Sequence, residues 1–268
     1  MKPVLLLDGD MRRDAQSKLK PGDCAEKNIL RITRHAGLKL ERLPLVERPE
    51  ISRKAAKGLV EKRRGIVISG SGLLHPTDDI RELGVNSSGK VVSTRKINSA
   101  LLGIIKECQC QGVPLLGICY GHQMVARFAG ETLTEIPKPE FGFYEMFLTE
   151  SGKQDAIFAG VPEKPKFAEY HSLGMSEAKH TEVLGLNNAC IQAIRVPENR
   201  IYGLQFHADF HWNVDNKGTG ALKQFFQEEN PGKELEKDKR IEPNNPFQAY
   251  SLNNVPLLNF MQMCENRK

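Results

Sequence analysis

The chain reads as an α/β protein, with a mainly parallel, twisted sheet covered by helices on both faces. Two observations lead there. Short apolar runs alternate with stretches of 3.6-residue periodicity, the order that builds parallel strands joined by crossover helices. The runs over 3–8 and 113–118 are nearly all apolar rather than alternating, as strands buried on both faces are. Length and composition agree. The 268 residues are 40% hydrophobic and 26% charged, ordinary for a globular protein. Size scaling buries about 73% of the unfolded chain's surface. One domain spanning 1–268 is expected.

The elements follow in order. Residues 3–8 (PVLLLD) are a buried strand, and the polar stretch 9–24, with Pro21-Gly22, reads as a loop. Residues 25–36 have helical spacing, with Ile29, Ile32 and His35 on one side and Gly37 as the stop signal. Residues 38–45 alternate and form a second strand, 51–63 a helix, and 65–69 (GIVIS) a third strand. Gly70-Ser71-Gly72 is a turn, and 73–93 lacks periodicity and reads as an extended loop excursion. Residues 94–110 are helical, 113–118 a fourth buried strand and 121–129 a helix. Shorter strands are expected over 131–136, 142–149, 189–195 and 201–206. A polar insertion covers about 210–252, and 253–264 is an amphipathic helix that docks on the core.

Several function classes are excluded as expectations. The longest apolar runs fall far short of a bilayer span. After Met1-Lys2-Pro3 a run of only four apolar residues precedes Asp8, too short for a signal-peptide core. The six cysteines show no repeated CxxC, so a disulfide scaffold is not expected and a reducing cytoplasm is. Cys108 and Cys110 read as surface thiols, and no metal site is expected. Residues 1–64 carry 17 Lys/Arg against 9 Asp/Glu, an excess of 8 within a total of +5. The basic residues are dispersed. The Lys62-Arg63-Arg64 run reads as the polar end of a helix, so no nucleic-acid partner is expected. Residues 84–91 (GVNSSGKV) nearly match a phosphate-binding loop, but Val91 stands where Mg²⁺ needs a hydroxyl.

Chemistry concentrates in two stretches. In residues 115–123 (LLGICYGHQ) a buried strand runs into Cys119 and a helix begins within two residues. Glycines two before and two after the cysteine permit the sharp, strained turn of a nucleophile elbow. That turn sets the sulfur at a helix N-terminus, where the dipole favours the reactive thiolate. A cysteine nucleophile needs a base. Residues 202–209 (YGLQFHAD) supply one: a strand is expected to end near His207, with Asp209 two residues on. An extended backbone would turn both side chains the same way, so that the carboxylate orients the imidazole.

These motifs resemble those of the class I, triad-type glutamine amidotransferases. Residues 117–123 look like the family's nucleophile motif, and 203–209 (GLQFHAD) resemble its G-V-Q-F-H-P-E segment. Residues 170–173 (YHSL) are similar to a segment of the anthranilate synthase glutaminase, and 68–72 (ISGSG) to the S-G-G-P oxyanion loop. Residues 254–260 are similar to the closing helix of the GMP synthase glutaminase domain. The sequence has Asp209 where the family has Glu, Ala208 for Pro and Ser71 for the second Gly.

The resemblance implies a flavodoxin-like class I glutaminase fold. It implies that Cys119 attacks the side-chain amide of glutamine, that His207 moves protons and that Asp209 orients it. The backbone N–H of Tyr120, with that of Gly70 or Ser71, would form the oxyanion hole. Gln123, His171, Ser172 and Leu173 would hold the amino-acid end of the substrate. No cofactor is implied. No second catalytic module stands out in the sequence, so a separate synthase subunit would receive the ammonia. The alternative is a hydrolase of γ-glutamyl amides or peptides, which uses the same thioester chemistry. A catalytically weak regulatory binding protein is the third reading.

Overall fold

The computed structural model describes residues 2–14, 16–21, 26–77, 81–210 and 252–267. The expected insertion at 210–252 lies outside them except for its end residues. Five strands form the parallel part of the central sheet: β1 (Val4–Asp8), β4 (Leu40–Pro44), β5 (Gly65–Ile68), β8 (Leu115–Ile118) and β14 (Ile201–Leu204). They lie in the order β4-β1-β5-β8-β14. Three antiparallel strands extend the sheet past β14: β13 (Ile191–Arg195), β12 (Glu182–Leu186) and β10 (Phe147–Leu148).

Alternate residues of each central strand face opposite layers, which is why these strands had to be apolar throughout. Leu5, Leu7, Ile66, Ile68 and Leu115 pack with α2 (Arg53–Glu61), α3 (Thr94–Gln111) and α4 (Tyr120–Ala129). The short helix α5 (Glu150–Gln154) follows β10. Val4, Leu6, Val67, Leu116 and Ile118 pack with α1 (Glu26–His35) and α6 (Val255–Glu265). Helix α6 buries Leu257, Leu258, Phe260 and Met261 completely. At about 1.5–3 kcal/mol per side chain, that face contributes about 6–12 kcal/mol before entropy.

Four expectations are corrected. The loop expected over 9–24 contains the hairpin β2 (Met11–Arg13) and β3 (Leu19–Pro21). The excursion over 73–93 contains the hairpin β6 (Glu82–Val85) and β7 (Val91–Ser93). The near phosphate loop is the turn of that hairpin: Asn86 Oδ1 accepts from Ser88 N and Lys90 N, and its amide donates to Val46 O. The strands expected over 131–136 and 142–149 are instead β9 (Thr134–Glu145) and the two-residue β10. Strand β9 pairs with β11 (Lys166–Gly174) in a separate antiparallel ribbon. Cys108 is buried in α3, while Cys110 is exposed as expected. Among the described residues, no helix is long and apolar enough to cross a membrane.

Candidate active site

Strand β8 delivers Cys119 to the carboxyl edge of the parallel sheet, where such folds place their ligand sites. Cys119 adopts φ 51°, ψ −105°, a strained conformation for a residue with a side chain. Its N–H donates to Leu204 O at 2.8 Å, and α4 starts at the next residue. The flanking glycines are demanded by contact. A Cβ on Gly117 would lie 2.2 Å from Gly121 O, and one on Gly121 would lie 2.4 Å from Ile68 O. The Cys119 sulfur sits 3.7 Å from Tyr170 O at the N-terminus of α4.

His207 and Asp209 are buried together, with Nδ1 3.1 Å from Oδ1. The extended backbone expected to align them is absent. Strand β14 stops at Leu204, and the chain turns, with Phe210 N donating to His207 O. The turn brings the shorter Asp carboxylate to the ring. Phe210 stacks on the imidazole at a centroid separation of 4.0 Å. Burial disfavours the His207 imidazolium, but negative charge on Cys119 and Asp209 outweighs it and holds the ring's basicity well above the ordinary histidine range. Nε2 is buried without a normal hydrogen bond among the described residues.

Three side-chain amides fix this turn. Asn28 donates to Asp209 O at 2.9 Å. Asn253 donates to His207 O at 2.5 Å and accepts from Ala168 N on β11 at 2.9 Å. Asn254 donates to Ala208 O and Phe210 O, both at 2.8 Å.

Gly70 lies against both reactive side chains. A Cβ there would meet His207 Cε1 at 2.8 Å and Cys119 Cβ at 3.5 Å. A buried network anchors its loop. Ser69 Oγ donates to Asp8 Oδ1 at 3.0 Å, and Asp8 Oδ2 accepts from Arg42 Nε at 2.8 Å. Ser71 Oγ accepts from Leu73 N and Leu74 N. Among the described residues, the non-glycines with positive φ are Ser17, Cys119 and Glu198, so the backbone at Ser71 needs no glycine. The Tyr120 hydroxyl donates to Asn98 Oδ1 at 2.6 Å, anchoring the first turn of α4.

The remaining candidates divide. Ser172 is exposed, and the Leu173 backbone lies beside Gln123, whose amide donates to Leu173 O at 3.2 Å and to Gln205 Oε1 at 3.3 Å. The His171 side chain points into the interior, between Glu140 and Glu169. His122, in the first turn of α4, is fully buried against Gly203. Burial lowers its pKa to about 4.

The glutamine amidotransferase class-I family model matches residues 21–228. The chain belongs to the class-I glutamine amidotransferase family. This amidotransferase chain is 38% identical over 102 residues to a glutamine-hydrolyzing GMP synthase subunit of Pyrococcus abyssi, covering 36% of this chain and 51% of the relative. It is 28% identical over 139 residues to the like-named subunit of Sulfurisphaera tokodaii, covering 51% of this chain and 69% of the relative. The match to the first of these spans about half its length. Two solved structures share the fold: a glutamine amidotransferase from Thermotoga maritima (TM-score 0.65, 15% identity, 100% of both chains) and one from Methylobacillus flagellatus (TM-score 0.60, 15% identity, 99% of this chain and 94% of that one).

Sequence reasoning missed Glu140, Glu169, Asn28, Asn253 and Phe210. Phe210 and Glu169 had local signals: an aromatic residue next to Asp209, and a carboxylate two residues before His171 on the same strand. Glu140, Asn28 and Asn253 reach the site from other elements.

Proposed function

We propose that this chain hydrolyses the side-chain amide of glutamine through a thioester on Cys119 and passes the ammonia to a separate synthase subunit. Cys119 and His207 share a proton, and the thiolate form attacks the amide carbon. The carbonyl electrons move to oxygen, which accepts hydrogen bonds from the Tyr120 N–H and from Gly70 or Ser71. Each such donor is worth about 3 kcal/mol in the transition state. The C–N bond breaks as His207 gives its proton to the leaving nitrogen, releasing ammonia. His207 then takes a proton from water, which attacks the thioester and frees glutamate and the thiolate. Asp209 keeps the imidazole oriented throughout. The exposed Ser172 and the backbone at Leu173 border the site on the side where the amino-acid end of glutamine would lie.

The observation that carries this reading is the strained, buried Cys119 beside a His207–Asp209 pair. The synthase partner rests on a second point: both sequence relatives are named as subunits. The test is glutamate release by the purified chain, with Cys119→Ala as control. Turnover that falls at least about 10³-fold in the control supports the reading. Faster turnover of γ-glutamyl peptides than of glutamine would reassign the chain to γ-glutamyl hydrolysis.

A further inference from the structure

The mechanism leaves one buried cluster of ionisable side chains unused. His171 and Glu169 alternate along β11 and face the same way, and Glu140 comes from the paired strand β9. His171 Nε2 lies 3.2 Å from Glu140 Oε2 and 3.2 Å from Glu169 Oε2, with all three side chains nearly inaccessible. His171 Nδ1 lies 3.1 Å from Leu173 O. A carbonyl only accepts, so Nδ1 must carry a proton, and two carboxylates at Nε2 call for a second. The ring is therefore an imidazolium, hydrogen-bonded at Nδ1 and ion-paired at Nε2, where no hydrogen bond of normal geometry forms among the described residues. Burial opposes that charge, but the two carboxylates outweigh it and raise the His171 pKa to about 10.

The position of the ring matters because of a break in the ribbon. Pairing jumps from His171↔Glu140 to Leu173↔Glu135, so Ser172 faces four β9 residues that include Pro137 and Pro139. Prolines have no N–H to give a ladder. Ser172 thus has no partner in the ladder, and its neighbour Leu173, paired again with Glu135, is held by two further contacts, His171 Nδ1 and Gln123 Nε2, both on Leu173 O. The next residue back, Tyr170, presents its carbonyl to Cys119.

We propose that Glu140 and Glu169 are positioning residues that clamp the His171 imidazolium, and through it set the substrate-binding edge Tyr170–Leu173 against Cys119. The inference rests on the glutaminase reading above. Without both carboxylates, His171 holds one proton fewer, and no anion at Nε2 fixes its charge. In the tautomer protonated on Nε2, Leu173 O loses the imidazole donor and keeps Gln123 Nε2. Beyond the two glutamates, the titratable groups around the ring are Cys119, Cys190, His122 and, through Glu169, His207. Glu140 is also held by Asn187 and Gln192, whose amides each donate to it at 2.8 Å. Neither Glu169 oxygen accepts a hydrogen bond of normal geometry among the described residues, so its tie to His171 is an ion pair and Glu169→Gln removes charge with the least structural loss.

The test compares wild-type chain, Glu169→Gln and the Glu140→Gln/Glu169→Gln double variant, all checked for folding. Glutamate release should show KM for glutamine raised at least about five-fold in the double variant, with kcat keeping at least half its value. In ¹⁵N-histidine NMR, the wild-type His171 ring should carry protons on both nitrogens at pH 8. In the double variant it should be neutral at that pH. A wild-type ring that is neutral at pH 8, or KM unchanged in both variants of an active chain, would overturn the clamp. One equivalent of zinc in the purified protein, lost with Cys190→Ser, would also overturn it, since Glu140, His171 and Cys190 would then be metal ligands. Failure of the parent reading looks different. The wild-type chain would release no glutamate, and glutamine would not protect Cys119 from iodoacetamide, which removes the substrate from the inference as well.

Discussion

Asp209 shows how a one-methylene change is absorbed. A Glu would reach the imidazole from further away, and here the turn at 207–210 closes the gap to 3.1 Å. The charge matters more than the reach, since Asp209 and Cys119 together keep the buried His207 basic. Asp209→Asn keeps the shape and loses the charge, so kcat should fall by about 10²–10⁴-fold. The His207 pKa should drop with it. Because the active pair is thiolate and imidazolium, the alkaline limb of kcat/KM should move to lower pH. A pH–rate profile whose alkaline limb stays in place would show that Asp209 does not set the basicity of His207. Cys119, His207 and Asp209 were legible in the sequence because each lies inside a short motif. Glu140 was not, because it meets His171 only through the pairing of β9 with β11, and without that partner strand the i, i+2 spacing of Glu169 and His171 does not announce a buried pair. That ribbon was itself obscured, since Pro137 and Pro139 break the alternation that announces a strand.

At the scale of elements, the elbow and the turn after β14 are rigid for different reasons. The elbow is fixed by close backbone approach. Gly117→Ala forces a methyl to 2.2 Å from a carbonyl oxygen that cannot swing away. The expected cost is about 1–3 kcal/mol, a loss of several degrees in Tm for a chain of this size. Alkylation of Cys119 should slow as the strand–helix turn opens, and a Tm within one degree of wild type would contradict the contact. The turn after β14 is held instead by amides from elsewhere in the chain. Asn253→Ala removes a donor to His207 O and an acceptor for Ala168 N, and leaves both buried. The orphaned Ala168 N–H costs about 1–3 kcal/mol, while His207 O keeps the Phe210 N–H. Asn254→Ala removes two donors to the same turn. Both variants should lose kcat beyond what their Tm change explains, measured well below the melting range. Full activity in a destabilised Asn253→Ala chain would show that the turn needs no such support. The amphipathic pattern over 253–264 marks α6 as a docking helix, but the use of the residues just before it is legible only in three dimensions.

Across the whole molecule, proton linkage gives the fold a lopsided response to pH. His171 binds its proton more tightly folded than unfolded, with a folded pKa of about 10 against an ordinary 6.5. Its contribution to stability is complete below about pH 6.5 and is lost as pH rises toward 10. The buried thiols act in the same direction further up, with Cys264 raised to about 12 by burial and Cys108 and Cys190 raised still more. Glu169, raised to about 7 mainly by burial, costs stability as pH climbs from 4.5 to 7. The neutral, buried His122 opposes it, because the unfolded chain gains that proton below pH 6.5. Asp14, Glu50, Glu131 and Glu182, with lowered pKa values, likewise lose their contributions as pH falls. The acid side therefore mixes contributions of both signs, and the alkaline side is one-signed. Urea unfolding should give a midpoint that falls steadily from pH 7 to pH 9.5. The Glu140→Gln/Glu169→Gln variant should fall less steeply, since its His171 is neutral in both states. A wild-type midpoint that is flat or rising over that range would mean that His171 is not charged in the folded chain, and the same result would remove the imidazolium on which the Tyr170–Leu173 edge is proposed to rest.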